Sequence, residues 1–321
     1  MKIDINKLQA FLFLMFGILF FGCSSEEAVI HSDSDVSSHI EYFGFTLVDT
    51  YWDDPTDTEV KTNYADEVHS FSNMADILVV HPTDNIVNRI NTMQLLQMKS
   101  ILHLQELFFE VNGDAAPSGT NYSLRSDYQS RWNEFVNTNN FTNDISGIQA
   151  FYLGEEPTWN GISFEELKLA SDYIKSTIPE IPILLVEAAP VISDLQVPAS
   201  VDWIGFDHYF VKDPKNDTTY NNELLLLKSK FSTANQKLVI VMDTHHIPFA
   251  HLDFGNIELN EMDAVAESYY ELALSEPKTI AILGYFWPSG FDAAEANGAR
   301  NFPNHVKNKY VAIGKTITGK E

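Results

Sequence analysis

Short apolar runs rich in β-branched and aromatic residues alternate with longer segments of helical periodicity along most of this 321-residue chain. Their near-continuous apolar character is typical of strands in a parallel sheet that is covered on both faces. Eight runs can be counted: Phe43–Val48, Ile77–Val80, Ser100–Leu104, Gln149–Leu153, Pro182–Val186, Trp203–Phe206, Leu238–Val241 and Ile280–Tyr285. Eight repeated βα units predict an α/β fold, a single (β/α)8 TIM barrel.

The connections between these runs carry the helical periodicity. It predicts helices at Ile86–Met98, Ser123–Asn137, Ser163–Ser176, Asn222–Ala234, Glu261–Leu274 and Asn304–Thr316. Ser163 is followed three residues later by Glu166, which predicts a capping box at the start of its helix. The link between the fifth and sixth runs is short, so its helix is the least defined. An open doubly wound sheet is the alternative, but no glycine-rich phosphate loop follows the first run.

The N-terminal segment differs in composition from the rest of the chain. Lys2 and Lys7 precede an apolar run over residues 8–21, which is too short to span a bilayer and has the order of a secretion signal. The chain's only cysteine, Cys23, follows Gly22 directly, and this segment resembles a bacterial lipoprotein cleavage box. The resemblance implies that Cys23 is lipidated. The Glu26-Glu27 pair resembles the surface-export signals of Bacteroidetes-type lipoproteins.

These features divide the chain into three parts: a lipoprotein signal peptide over residues 1–22, a flexible Ser/Asp/Glu-rich tether over 23–38, and a barrel domain over 39–321. The protein is therefore expected to be exported and anchored by its lipid to the bacterial outer membrane or cell surface. The membrane is expected as a partner through this anchor only.

Charge limits the remaining partners. The chain has 20 Lys and Arg residues against 45 Asp and Glu residues, a formal net charge of −25. Such a surface disfavours binding to nucleic acid. A hydrophobic content of 45% is enough for a packed core.

In a barrel of this kind the catalytic groups follow the C-terminal ends of the strands. Carboxylates follow most of the eight runs, and such a concentration of like charges in one mouth is unfavourable unless it serves a function. The candidate residues at these positions are Asp49, Trp52, His81, Glu106, Glu155, Glu156, Glu187, Asp207, His208, Tyr209, Asp243, His245, His246 and Trp287.

The segment Phe151–Pro157, with sequence FYLGEEP, resembles the strand-4 signature of the clan of retaining glycoside hydrolases that includes cellulases and β-mannanases. In that clan an Asn-Glu-Pro segment carries the general acid/base. The resemblance implies this role for Glu156, whereas Glu155 stands where the clan has asparagine. Three later segments fall in the same order as in the clan: Phe206–Tyr209, Val241–Asp243 and Tyr285–Trp287.

The resemblance implies that Asp243 is the second catalytic carboxylate, in a position where the clan has glutamate. Glycosidic cleavage needs one protonated carboxyl and one ionised carboxylate, so the pair suits this chemistry. The resemblance to retaining enzymes implies retention of configuration, although the sequence does not give the separation that decides it. The expected substrate is a poly- or oligosaccharide, with no cofactor and no metal.

Other mouth residues are expected to contact this carbohydrate. The flat rings of Trp52 and Trp287 can stack on a sugar. The remaining expected contacts are Asp49, Glu106, Glu155, Glu187, Asp207, His208, Tyr209 and His245.

Two alternatives remain open. A metal-dependent hydrolase could take its ligands from His81, His103, Asp207, His208, Asp243, His245 and His246. The first run lacks a His-x-His pair, and His245 and His246 are adjacent, so on an extended chain they point in different directions. The other alternative is a surface glycan-binding lipoprotein that lacks turnover.

Overall fold

The computed structural model describes residues 39–321, which form a closed barrel of eight parallel strands. The strands are β1 (Tyr42–Asp49), β2 (Met74–Leu78), β3 (Lys99–His103), β4 (Ile148–Glu155), β5 (Ile183–Ala188), β6 (Trp203–Asp207), β7 (Lys237–Asp243) and β8 (Thr279–Tyr285). Each strand pairs with its neighbours in sequence, and pairing of β1 with β8 closes the barrel. The predicted (β/α)8 architecture is confirmed, and every predicted run overlaps a barrel strand.

Helices cover the outside of this barrel. They are α1 (Ala65–Val68), α2 (Val87–Leu95), α3 (Gln105–Phe108), α4 (Tyr128–Thr138), α5 (Phe164–Thr177), α6 (Thr218–Ser229), α7 (Pro248–Gly255), α8 (Met262–Ser275) and α9 (Asn304–Thr318). The six predicted helices correspond to α2, α4, α5, α6, α8 and α9. The short link between β5 and β6 forms a 3₁₀ turn at Ala189–Val191. The predicted capping box at the start of α5 is present, with Ser163 and Glu166 each bonded to the other's backbone N–H.

Two short antiparallel ribbons extend from the barrel at its loops. One joins Phe109–Val111 to Tyr122–Leu124 after β3. The other joins His245–His246 to Asn297–Gly298, which ties the loop after β7 to the loop after β8.

The core has two layers because successive side chains of a strand point to opposite faces of the sheet. The outer layer fills the space between strands and helices, and includes Phe45, Trp132 and Phe151. The inner layer fills the barrel, and includes Ile101, Trp203, Val239 and Leu283. The barrel is therefore a packed core, and a substrate can approach only at its ends.

The predicted signal peptide, Cys23 and the tether lie outside the described residues. Within residues 39–321, no helix has the length and apolar composition that crossing a membrane requires.

Candidate active site

The end of β4 places two consecutive glutamates at the mouth of the barrel. Glu155 is the last residue of the strand, and Glu156 follows it with a φ of 48°. This left-handed conformation is uncommon for a residue other than glycine and destabilises the chain by roughly 1 kcal/mol or more. The Glu156 N–H donates to the Val186 carbonyl at 2.7 Å, and its own carbonyl accepts from the Asn160 N–H at 2.8 Å. The turn therefore fixes the backbone direction of Glu156.

Glu187, at the end of β5, holds the loop that follows Glu156. Its side chain is fully buried, and its oxygens accept N–H groups from Thr158 at 2.8 Å, Trp159 at 3.2 Å and Ala188 at 3.0 Å. These bonds occupy the carboxylate. Glu187 was expected to contact substrate, and the structure places it beneath the loop that carries the mouth residues.

Glu156 and Asp207, the last residue of β6, form a carboxyl pair at the mouth. Their side chains share a hydrogen bond, which requires a proton on one of them. Desolvation raises the pKa of Glu156, and the charges of Asp207, Glu155 and Glu187 raise it further. Desolvation also raises the pKa of Asp207. We assign the shared proton to Glu156, because the hydrogen bond between the two side chains raises the pKa of Glu156 and lowers that of Asp207.

Glu155 is held differently from its neighbour. Its Oε2 lies 2.9 Å from Nε2 of His103, at the end of β3. Desolvation alone would raise the pKa of Glu155, but the pairing with His103 outweighs it and the net pKa is lowered. The pair Glu155–Glu156 thus contains one ionised carboxylate and one carboxylic acid, which is the combination that general acid catalysis uses.

Two tyrosines and an aspartate form the opposite side of the mouth. Tyr209, just after β6, stacks on Tyr285, at the end of β8, with ring centroids 5.1 Å apart. The Tyr285 hydroxyl donates to Asp292 and lies 3.2 Å from each carboxylate oxygen. Desolvation, then the charges of Asp292, Glu155, Asp207 and Glu156, raise the pKa of Tyr285 far above its usual value. Tyr285 therefore lies within electrostatic reach of all four carboxyls.

Asp243, the predicted second catalytic carboxylate, is fully buried at the end of β7. It accepts the Phe210 N–H at 3.0 Å and lies 3.1 Å from Nδ1 of His245 and 3.2 Å from Nε2 of His251. Burial alone would raise its pKa, but the two histidines hold the pKa of Asp243 well below its usual range. Asp243 is thus ionised, and these contacts enclose it. Its catalytic role stays a prediction.

Within residues 39–321, one group of side chains has the donor atoms that a metal site would need. It consists of Asp243, His245 and His251, whose donor atoms lie within 4.8 Å of one another. The Ile247 N–H donates to Nδ1 of His251 at 2.9 Å. The same Nδ1 lies 3.2 Å from the Ile247 carbonyl, and Nε2 of His251 faces Asp243. In this structure the three residues form a hydrogen-bond network.

Three predicted substrate contacts are bonded to side chains of the surrounding helices. Asp49 is 2.8 Å from Nε of Arg89 on α2, and His208 is 2.5 Å from Glu223 on α6. Trp287 is 5% exposed; it packs against Phe45 in the outer core, and its indole N–H donates to Glu67 at 2.8 Å. Their side chains are bonded to the helical layer, so they have little surface to offer a sugar. Their substrate contacts stay predictions.

The other predicted contacts lie at or below the rim. The Trp52 indole N–H donates to the Ser289 carbonyl at 2.9 Å, and its ring packs edge-on against Phe291. Glu106 is partly exposed on α3, and its charge is near enough to raise the pKa of His103. His245 is buried beside Asp243, and His246 bonds to the Ile257 carbonyl at 3.2 Å. His81 is exposed in the loop after β2.

Sequence reasoning missed Asp76 and Asp292 and considered His103 only as a metal ligand. Asp76 lies inside β2 and accepts the N–H groups of Leu47 and Val48 at 2.9 and 2.8 Å. Desolvation raises the pKa of Asp76 to about 6. An acid within the otherwise apolar run of β2 was a usable signal. Asp292 lies in an irregular loop, where the sequence offers no comparable signal.

No protein-family model matches the chain, and no curated protein matches it. Solved structures do. Xylanase 10B from Thermotoga maritima is 14% identical, with 88% of this chain and 96% of that chain covered at a TM-score of 0.55. A GH113 β-1,4-mannanase is also 14% identical, with coverage of 84% and 99% and a TM-score of 0.51. A putative α-L-fucosidase from Bacteroides thetaiotaomicron is 9% identical, with coverage of 92% and 100% and a TM-score of 0.52. At these identities the likeness establishes the barrel fold.

The raised pKa values at the mouth make the fold sensitive to pH. A carboxyl whose pKa is raised on folding stabilises the native state less and less as pH rises from its unfolded pKa to its folded pKa. We therefore expect Glu156→Gln, which cannot ionise, to raise the melting temperature relative to wild type. The difference should grow from pH 5 to pH 8 and reach about 2 °C or more.

Thermal unfolding across this pH range measures the difference. Glu165→Gln, an exposed acid on α5, is the matched control and should show none. A Glu156→Gln melting temperature that falls with pH in parallel with wild type would contradict the assignment of a raised pKa.

Proposed function

We propose that this chain is a glycoside hydrolase that cleaves a poly- or oligosaccharide, with Glu156 as the general acid/base. The observation that carries the proposal is the hydrogen-bonded pair of Glu156, just after β4, and Asp207, at the end of β6, beside an ionised Glu155. An acid that keeps its proton near neutral pH is what departure of a glycosidic oxygen requires.

The backbone supports the same role. Glu156 is held in a left-handed conformation by the β5 contacts and the Glu187-bound loop, so the direction in which it leaves the strand is fixed. Strained residues of this kind occur disproportionately at active sites. The network therefore maintains both the position and the protonation of one carboxyl at an open rim.

The substrate class rests on the mouth and on the neighbours together. Tyr209 and Tyr285 present a partly exposed aromatic pair next to the acids, and such faces suit sugar rings. Similar barrels are described as a xylanase, a β-1,4-mannanase and a putative α-L-fucosidase. A glycan panel should therefore include xylan and mannan as well as fucosylated oligosaccharides.

The second carboxylate determines the stereochemistry of the reaction. The sequence resemblance predicts Asp243 in this role, with retention of configuration. Retention needs carboxyl groups about 5–5.5 Å apart, and inversion needs about 6.5–9.5 Å to accommodate a water molecule. Proton NMR of the first product anomer, recorded before mutarotation, distinguishes the two.

If Glu156 is the acid, Glu156→Gln should lower kcat/KM on the cleaved polysaccharide by about 10²- to 10⁴-fold. The loss should be much smaller on a 2,4-dinitrophenyl glycoside of the released sugar, because that leaving group needs no proton. Reducing-end and chromogenic assays measure the two rates, with Glu165→Gln as the control. Equal losses on both substrates would contradict the proton-donor role, and binding without cleavage by wild type would favour a glycan-binding protein.

The Asp207 charge should set the alkaline limit of activity. Asp207→Asn removes a like charge and a hydrogen-bond acceptor that both raise the pKa of Glu156. The pKa of Glu156 then falls, so the acid loses its proton at lower pH. We expect the alkaline limb of the kcat/KM profile to move down by about one pH unit or more. An unchanged limb would show that another group controls it.

We also propose that the protein is exported and anchored to the cell surface through a lipid on Cys23, with residues 24–38 as a tether. The apolar run before Gly22-Cys23 supports the proposal. Cys23→Ala should abolish incorporation of labelled palmitate in a bacterial host and release the protein from the membrane fraction. Equal labelling of wild type and variant would exclude the anchor.

A further inference from the structure

The remaining catalytic position is the ionised carboxylate that faces the acid across the sugar. Most acids at the mouth are committed to other partners. Glu155 is paired with His103, Glu187 is bound by backbone N–H groups, and Asp207 is bonded to Glu156 itself. A carboxyl in direct contact with the acid leaves no room for a sugar between the two. None of these three therefore suits the position.

Asp243 is equally constrained. It has no exposed surface, and the Phe210 N–H, His245 and His251 surround its oxygens. Its ionised state is well stabilised, but an anomeric carbon would have to displace buried hydrogen bonds to reach it. Loss of such bonds costs about 1–3 kcal/mol for each group left unpaired.

Asp292 differs from these acids in its contacts and in its place. Its side chain is exposed, and its one described side-chain contact is the hydroxyl of Tyr285, 3.2 Å from each oxygen. Because the strands close in the order β1-β8-β7-β6-β5-β4-β3-β2, the end of β8, where Tyr285 bonds to Asp292, lies across the barrel from β4. A ring bound between Asp292 and Glu156 would therefore occupy the centre of the mouth, beside Tyr209 and Tyr285.

We infer that Asp292 is the second catalytic carboxylate of the glycoside hydrolase proposed above. The inference rests on that proposed function and goes beyond it by naming a residue outside the β7 strand end. Tyr285 orients Asp292 through its hydroxyl, and the stack of Tyr285 on Tyr209 fixes the direction of that hydroxyl.

Desolvation and the charge of Glu155 raise the pKa of Asp292, and the nearby His245 and the Tyr285 hydroxyl oppose this rise only in part. The Tyr285 hydroxyl donates to the carboxylate and so favours its ionised form. Asp243 holds His245 in place, which gives that buried aspartate a supporting function.

The chemical steps balance with these two groups. In the first step an Asp292 oxygen bonds to the anomeric carbon, the glycosidic C–O bond breaks, and the leaving oxygen takes the proton of Glu156. In the second step water adds to the anomeric carbon, its proton returns to Glu156, and Asp292 leaves as the free carboxylate. The net reaction is hydrolysis, and no oxidant or further reactant is needed.

The test compares Asp292→Ala with Glu295→Ala, an exposed acid of the same loop, in the full chain. Asp292→Ala should lower kcat/KM on the order of 10³-fold or more on both the polysaccharide and the 2,4-dinitrophenyl glycoside. Glu295→Ala should leave both rates within about twofold. Sodium azide or formate should restore activity to Asp292→Ala on the dinitrophenyl substrate, because a small anion can attack in place of the missing carboxylate.

Anion rescue separates a catalytic role from a structural one, since a misplaced loop is not repaired by azide. Asp292→Ala rates like those of Glu295→Ala would overturn the inference, as would an inactive Asp292→Ala that no anion rescues. A folded Asp243→Asn that is inactive while Asp292→Ala is active would return the role to Asp243. Failure of wild type to cleave any glycan would instead remove the proposed function on which the inference rests.

Discussion

Eight parallel strands that close into a barrel must all end at the same rim, so every side chain on a strand end shares one small volume with the others. This chain places acids on most of those ends, and like charges so close together destabilise one another. The contacts at the mouth largely offset that repulsion. Each acid is stabilised by a different neighbour, and that neighbour determines whether the acid is protonated, ionised or enclosed.

The stabilising contacts of these acids are of four kinds. Backbone N–H groups bind Glu187, arginine binds Asp49, and histidines bind Glu155 and Asp243. Among residues 39–321 no cation pairs with Glu156, which is stabilised by a proton that it shares with Asp207. The acid of this set that is stabilised by a proton is therefore the one that can donate it, and it lies where the backbone is strained. The strained backbone and the desolvated carboxyl that destabilise the fold therefore belong to the residue that is proposed to act as the acid. Active-site residues commonly reduce stability in this way.

Prediction from the sequence worked where a local pattern had one structural outcome. The apolar runs located all eight strands, and Ser163 with Glu166 located a helix start. The sequence also predicted that Glu156 lies at the rim, because a residue that directly follows a barrel strand lies at the end of the barrel. Prediction could not say which way a rim side chain turns. His208 and Trp287 follow strands as expected, yet hydrogen bonds to Glu223 and Glu67 direct them to the helical layer. Those partners are 15 and 220 residues away along the chain.

The sequence by itself determined the barrel, its strand ends and the surplus of acids at one mouth, because these follow from periodicity and from chain connectivity. The tertiary structure alone decided which acids are ionised, which are buried and which remain open. Burial of Asp243 by His251, the proton shared by Glu156 with Asp207, and the contact of Asp292 with Tyr285 all join residues from separate loops or strand ends. A pKa depends on desolvation and on charges a few ångströms away, and neither quantity exists until the chain has folded.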